Sequence, residues 1–65
     1  MITLVGSGNV ATWIATRLKD NRDFPIKQVY SRSMENAKAV AALCGAEPVC
    51  DLQQLNRQSD IYLFS

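Results

Sequence analysis

The chain has 65 residues, 48% of them hydrophobic and 20% charged, with a formal net charge of +1. That is ordinary soluble globular composition, which excludes a disordered tail, and no stretch approaches the ~18 apolar residues of a membrane span. The near-neutral balance lacks the basic footprint of a nucleic-acid or anionic-membrane binder, and no charged-then-apolar leader marks the chain for export, so a cytoplasmic setting is expected.

Ile2 to Val5 is a short apolar, β-rich run that stops at Gly6, and it reads as a buried strand. From Asn9 the pattern becomes helical. Val10, Trp13, Ile14 and Leu18 recur at helical spacing, with Ala11 and Ala15 beside them. Trp13 is expected in the core or against a partner. The polar cluster Lys19-Asp20-Asn21-Arg22-Asp23 ends this helix.

Pro25 precedes a second strand, Ile26 to Tyr30, and a proline at the start of a strand costs no ladder bond. Ser31-Arg32-Ser33 forms the turn. Ser33 suits an N-cap, and Glu35 sits where the helix dipole favours an acid. Ala37, Val40, Ala41 and Cys44 then make one apolar stripe, and Gly45 is a natural stop.

Ala46 to Cys50 is expected as a short third strand, at an edge because it contains Pro48. Asp51 can cap a brief helical turn with Gln54 reaching back, and Leu52 and Leu55 would form its buried face. After the polar stretch Asn56 to Asp60, Ile61-Tyr62-Leu63-Phe64 is apolar throughout. Such a run suits a central parallel strand covered on both faces. The two cysteines, Cys44 and Cys50, match no zinc or CxxC spacing, and no histidine is present to complete a metal site. They are expected as small, partly buried hydrophobes.

This alternation of strand and helix implies right-handed crossovers and a parallel sheet. The fold class is therefore α/β: a Rossmann-type parallel sheet with strand order 3-2-1-4 and the Pro48 strand at one edge. So short a chain buries little surface, so residues 1–65 are expected to be the N-terminal part of a dinucleotide-binding domain. The structure should then show either partner chains or an exposed sheet.

Gly6-Ser7-Gly8-Asn9-Val10-Ala11 carries the chemistry. It is the G-x-G-x-x-G/A fingerprint, placed directly after a strand and opening a helix. Gly6 permits the tight turn. Gly8 has no Cβ, so a pyrophosphate can approach the backbone, and Ala11 is small enough for the helix to pack on the strand. The free N–H groups near Asn9 and Val10, with the positive end of the helix dipole, would face the phosphates.

The residues at the end of the second strand narrow the ligand. NAD sites usually place an acid about twenty residues past the fingerprint, for the ribose hydroxyls. Here that position is Ser31, and the strand ends Val29-Tyr30-Ser31-Arg32-Ser33 without a carboxylate. A guanidinium pairs with a 2′-phosphate, and flanking hydroxyls can donate to it. Ser31, Arg32 and Ser33 thus read as a 2′-phosphate cradle, with Ser33 able to cap the helix as well. The expected cofactor is NADP. FAD and S-adenosylmethionine sites commonly want an acid where this chain has arginine. Tyr30 at its strand end could lie near an adenine, and Ser65 could line the same edge.

These residues resemble the NADP-binding domain of the pyrroline-5-carboxylate reductase-like group, which also includes deazaflavin-dependent NADP reductases and 6-phosphogluconate dehydrogenase-like enzymes. The likeness is carried by Ile2 through Ala11 and by Val29-Tyr30-Ser31-Arg32-Ser33. It is greatest to a Rossmann-like oxidoreductase family in which a helical C-terminal domain follows. The resemblance implies an oxidoreductase, a substrate pocket and dimer interface supplied by the helical domain, and hence a homo-oligomer. The expected function is NADP(H) binding as the cofactor half of an oxidoreductase acting on a small C=N or C=O substrate. The alternative is a nucleotide-binding or sensing module without catalysis. No residue of the chain reads as a general acid or base beside a nicotinamide.

Overall fold

Each of the first two strands is followed by a helix that returns the chain to start a parallel neighbour, and the sheet order results from that. In the computed structural model, which describes residues 1–55 and 58–64, β1 (Ile2–Val5) is followed by α1 (Asn9–Leu18), β2 (Ile26–Tyr30) and α2 (Met34–Cys44). Then come β3 (Glu47–Val49), a 3-10 turn (Leu52–Gln54) and β4 (Ile61–Phe64). All pairings are parallel and the order is β3-β2-β1-β4. This is the Rossmann-type arrangement read from the sequence, with the Pro48 strand at an edge. Right-handed crossovers in one direction put α1 and α2 on one face of the sheet, and they pack against each other there. Among the described residues, no helix is long and apolar enough to cross a membrane.

The core forms where Ile2 and Leu4 of β1 and Ile26 and Val29 of β2 meet Ala11 and Ala15 of α1 and Val40 and Ala41 of α2. The buried face of α1 differs from the expected stripe. Val10 and Trp13 are 59% and 61% exposed, while Ala11 and Ala15 are fully buried and Ile14 and Leu18 pack beside them. α1 packs closely against α2, and the residues it buries fully are the small ones, with Val10 and Trp13 turned outward. Trp13 therefore lies outside the core, with the Arg17 guanidinium 5.5 Å from its ring centre. This packing makes a prediction. Ala15→Leu should destabilise the fold by about 1–3 kcal/mol, because Ala15 is fully buried and a larger side chain there overpacks the core. A lowered midpoint in urea denaturation is the expected reading, and an unchanged one would mean the core is looser there than it looks.

α2 matches its expected stripe, with Ala37, Val40 and Ala41 buried and Cys44 half-buried. The Ser33 hydroxyl oxygen caps it by accepting from the Asn36 N–H at 3.3 Å. Gly45 ends it in the left-handed conformation, φ 70°, and its N–H donates to the Ala41 carbonyl.

The crossover to β4 is held by polar contacts. The Asp51 carboxylate accepts from the Gln53 N–H at 2.9 Å, as an N-cap should. The Gln28 amide donates to the Glu47 carboxylate at 2.9 Å and to the Gln54 carbonyl at 3.2 Å. Thr3 is fully buried, and its hydroxyl bonds that of Ser59. The N-terminal ammonium pairs with Asp60. Leu52 does not form a buried face: it is 63% exposed, because a three-residue turn is too short to present one.

β4 is the exposed sheet edge that the order 3-2-1-4 and the shortness of the chain lead one to expect, with Ile61, Tyr62 and Phe64 exposed and only Leu63 packed against the core. Its apolar sequence is uncovered because, among the described residues, no element lies beyond it.

Both cysteines are free. Burial pushes the Cys44 thiol above its ordinary pKa, whereas Cys50 is exposed and not partly buried as expected. It comes directly after β3, at an open strand end. Alkylation of the native protein with iodoacetamide should therefore mark Cys50 first and Cys44 slowly, since the thiolate is the reacting form. Peptide mass spectrometry over time reads this order, and faster labelling of Cys44 would contradict it.

Candidate functional site

Parallel strands bring all their carboxyl ends to one edge, where the chain must turn into the helices. At the end of β1 the turn is made by Gly6, whose φ of 134° is a conformation that side chains strongly disfavour. The Gly6 N–H donates to the Tyr30 carbonyl at 2.8 Å, which carries the β1–β2 ladder one residue past the strand. At the end of β2 the Ser31 N–H does the same, donating to the Val49 carbonyl at 3.1 Å. Both turns are thus anchored to the sheet.

Side chains then tie the turns to each other. The Ser31 hydroxyl donates to the Ser7 hydroxyl oxygen at 2.9 Å. The Ser33 N–H donates to the Ser31 oxygen at 3.4 Å. Ser31 is 6% exposed, whereas Arg32 is exposed and Ser33 half-buried.

Of the residues singled out from sequence, Gly6, Ser7, Ser31, Arg32 and Ser33 line one groove of about 350 Å³. Gly8, Asn9 and Val10 stand exposed where α1 begins, outside that lining, and Ala11 is buried beneath the helix. Gly8 is the N-cap of α1, with ordinary extended backbone (φ −81°, ψ −164°). No side chain caps this helix and its first turn holds no acid, in contrast to α2 with Ser33 and Glu35. A Cβ added at Gly8 meets nothing within 4 Å. Neither backbone strain nor protein packing therefore accounts for the glycine there.

The groove has further walls that sequence reasoning missed: Val5, Asn36 and Phe64, together with Tyr30, for which only a weak case existed. Val5 is the register partner of both Tyr30 and Phe64, so these three form one row across the strand ends. The order 3-2-1-4 carried the signal, since it makes the last residue of β4 a neighbour of the last residue of β1. Asn36 lies three residues after Ser33, about one helical turn on, and so shares its face. Ser65 lies outside the described residues. Among the described residues, Arg32 is the charged member of the lining, and none of the lining residues is a carboxylate. The arrangement offers donors and one cation to an anion: the Arg32 guanidinium, the Ser33 hydroxyl proton left free by capping, and the uncapped start of α1.

No family model matches the chain, and neither does any curated protein. Among solved structures it is similar to a candidate NADP oxidoreductase from Bacteroides fragilis, with 41% sequence identity and a TM-score of 0.89. The match covers 98% of this chain and 24% of that one, so this chain spans under two thirds of the length of the protein it resembles.

Proposed function

We propose that residues 1–65 are the front part of an NADP(H)-binding domain, and that this domain serves an oxidoreductase acting on a small C=N or C=O substrate. The observation that carries the reading is the space above Gly8. A Cβ would fill it without touching the protein, it lies at an uncapped helix start, and the groove beside it holds a cation and, among the described residues, no acid. That is the chemistry of a pyrophosphate cradle next to a 2′-phosphate site. The resemblance to the Bacteroides fragilis protein supports the same cofactor.

The residues present fit the group. Gly6 makes the turn, Gly8 keeps the space open, and the N–H groups of Asn9 and Val10 face it from the helix start. Ala11 lets α1 lie against β1. Arg32 takes the 2′-phosphate with help from the Ser33 hydroxyl, while Ser31 and Ser7 join the two turns. When bound, NADP(H) supplies hydride transfer, and the protein's part is binding and orientation. The groups that handle substrate protons lie outside these residues, in the helical domain that the family resemblance implies.

A nucleotide-sensing module without catalysis would use the same site. It gains some support from the lining, which among the described residues contains no histidine, lysine or carboxylate to act as general acid or base. Turnover decides between the two. The full-length protein should oxidise NADPH in the presence of at least one member of a panel of imines and carbonyls. Binding without turnover across that panel would favour the sensor.

A further inference from the structure

We propose that Ser31 is a positioning residue, which aims the Ser7 hydroxyl into the groove and does not itself touch the ligand. The inference rests on the dinucleotide reading above and changes the role of one residue within it.

Ser31 and Thr3 are the buried polar side chains among the described residues. A buried hydroxyl has to be partnered, and a serine hydroxyl has only one proton to give. Ser31 gives that proton to Ser7 at 2.9 Å. Its oxygen faces the Ser33 N–H at 3.4 Å. An anionic oxygen needs a donor, and Ser31 has none left while the bond to Ser7 stands. It therefore cannot be a direct ligand of a phosphate in this arrangement.

Ser7 is in the opposite position. Its oxygen accepts from Ser31, so its own proton is free, and Ser7 lines the groove. The donors thus run in series from the Ser33 N–H to the Ser31 hydroxyl to the Ser7 hydroxyl. Each bond polarises the next, which makes the last proton a better donor to an anion. The Ser31–Ser7 bond spans 24 residues of sequence, and with the Ser33 N–H it joins the N-cap of α2 to the glycine turn before α1. Both ends are pinned to the sheet by backbone bonds, Gly6 to Tyr30 and Ser31 to Val49. Ser31 is therefore the bridge that sets the glycine turn relative to the Arg32 turn.

The two roles predict different losses. A direct 2′-phosphate ligand matters only to NADP+. A residue that acts through Ser7 on the glycine turn matters equally to NADP+ and NAD+, which share the pyrophosphate. The test is calorimetric titration of the full-length protein with each dinucleotide, for wild type, Ser31→Ala, Ser7→Ala and the double variant. Each single variant should weaken both ligands by about tenfold, the loss of one hydrogen bond to an anionic oxygen, with the NADP+/NAD+ ratio unchanged. The double variant should be no weaker than either single one, because the two act in series. Loss of NADP+ binding alone in Ser31→Ala, no loss at all, or fully multiplicative losses would each overturn the proposal. If Ser31→Ala does not fold, Ser7→Ala at its half-buried position still decides: an equal loss for both ligands supports the bridge, and an unchanged affinity overturns it. Wild type that binds neither dinucleotide would instead overturn the cofactor reading itself.

Discussion

Gly8→Val should abolish saturable binding of both NADP+ and NAD+ while the protein still folds. The two halves of this expectation have separate grounds. Folding survives because the backbone at Gly8 is ordinary extended chain and a Cβ there meets nothing within 4 Å. Valine is a poorer N-cap than glycine, so a stability loss of up to about 1 kcal/mol is expected. Binding fails because the branched side chain would fill the space a pyrophosphate needs above the helix start. Gly6 would be a poor choice for the same experiment. Its φ of 134° would strain any side chain, so lost binding could reflect a damaged turn. The measurements are calorimetric titration with each dinucleotide and a thermal melt of the same sample. A folded variant with unchanged affinity would reduce the glycine turn to a packing corner and remove the main support for a dinucleotide.

Arg32→Ala should weaken NADP+ by about tenfold and leave NAD+ within about twofold of wild type. Charge-assisted hydrogen bonds contribute roughly 1.5–3 kcal/mol, and the exposure of Arg32 places its contribution at the low end, since solvent and salt screen it. The wild type should accordingly prefer NADP+, and that preference should shrink as salt is raised. Arg32→Lys should recover only part of the loss, because an ammonium lacks the bidentate fork that matches a phosphate. Equal affinities of the wild type for the two dinucleotides would sink the assignment of Arg32, whatever the variant does.

The site was legible to the extent that it depends on turns in the chain. Gly6 had to be glycine for its positive φ, Ser33 had to cap a helix, and Arg32 stood where an acid is usual. All three are local facts, readable from neighbours in sequence. The groove as a surface was less legible. Phe64 and Val5 reach it through strand register, and Asn36 by sharing a helix face with Ser33. Ser31 was legible as a member of the turn but not as a buried bridge, because its partner lies in the other turn.

By itself the sequence determined the order of strands and helices, the parallel sheet and its 3-2-1-4 arrangement. Hydrophobic period, glycine and proline positions and the handedness of crossovers leave little other choice once strands and helices alternate. Only the tertiary structure decided which side of α1 is buried. Val10, Ile14 and Leu18 satisfy helical spacing as well as Ala11, Ala15 and Leu18 do, and the packing of α1 against α2 and the sheet core buries the alanines. It also decided that Thr3 is a buried polar residue held by Ser59, and that Ser31 reaches Ser7. These outcomes depend on which groups from distant parts of the chain arrive at the same place. Local propensity acts over a few residues and carries no record of such distances, so they are set only when the sheet closes its register and the helices settle onto it.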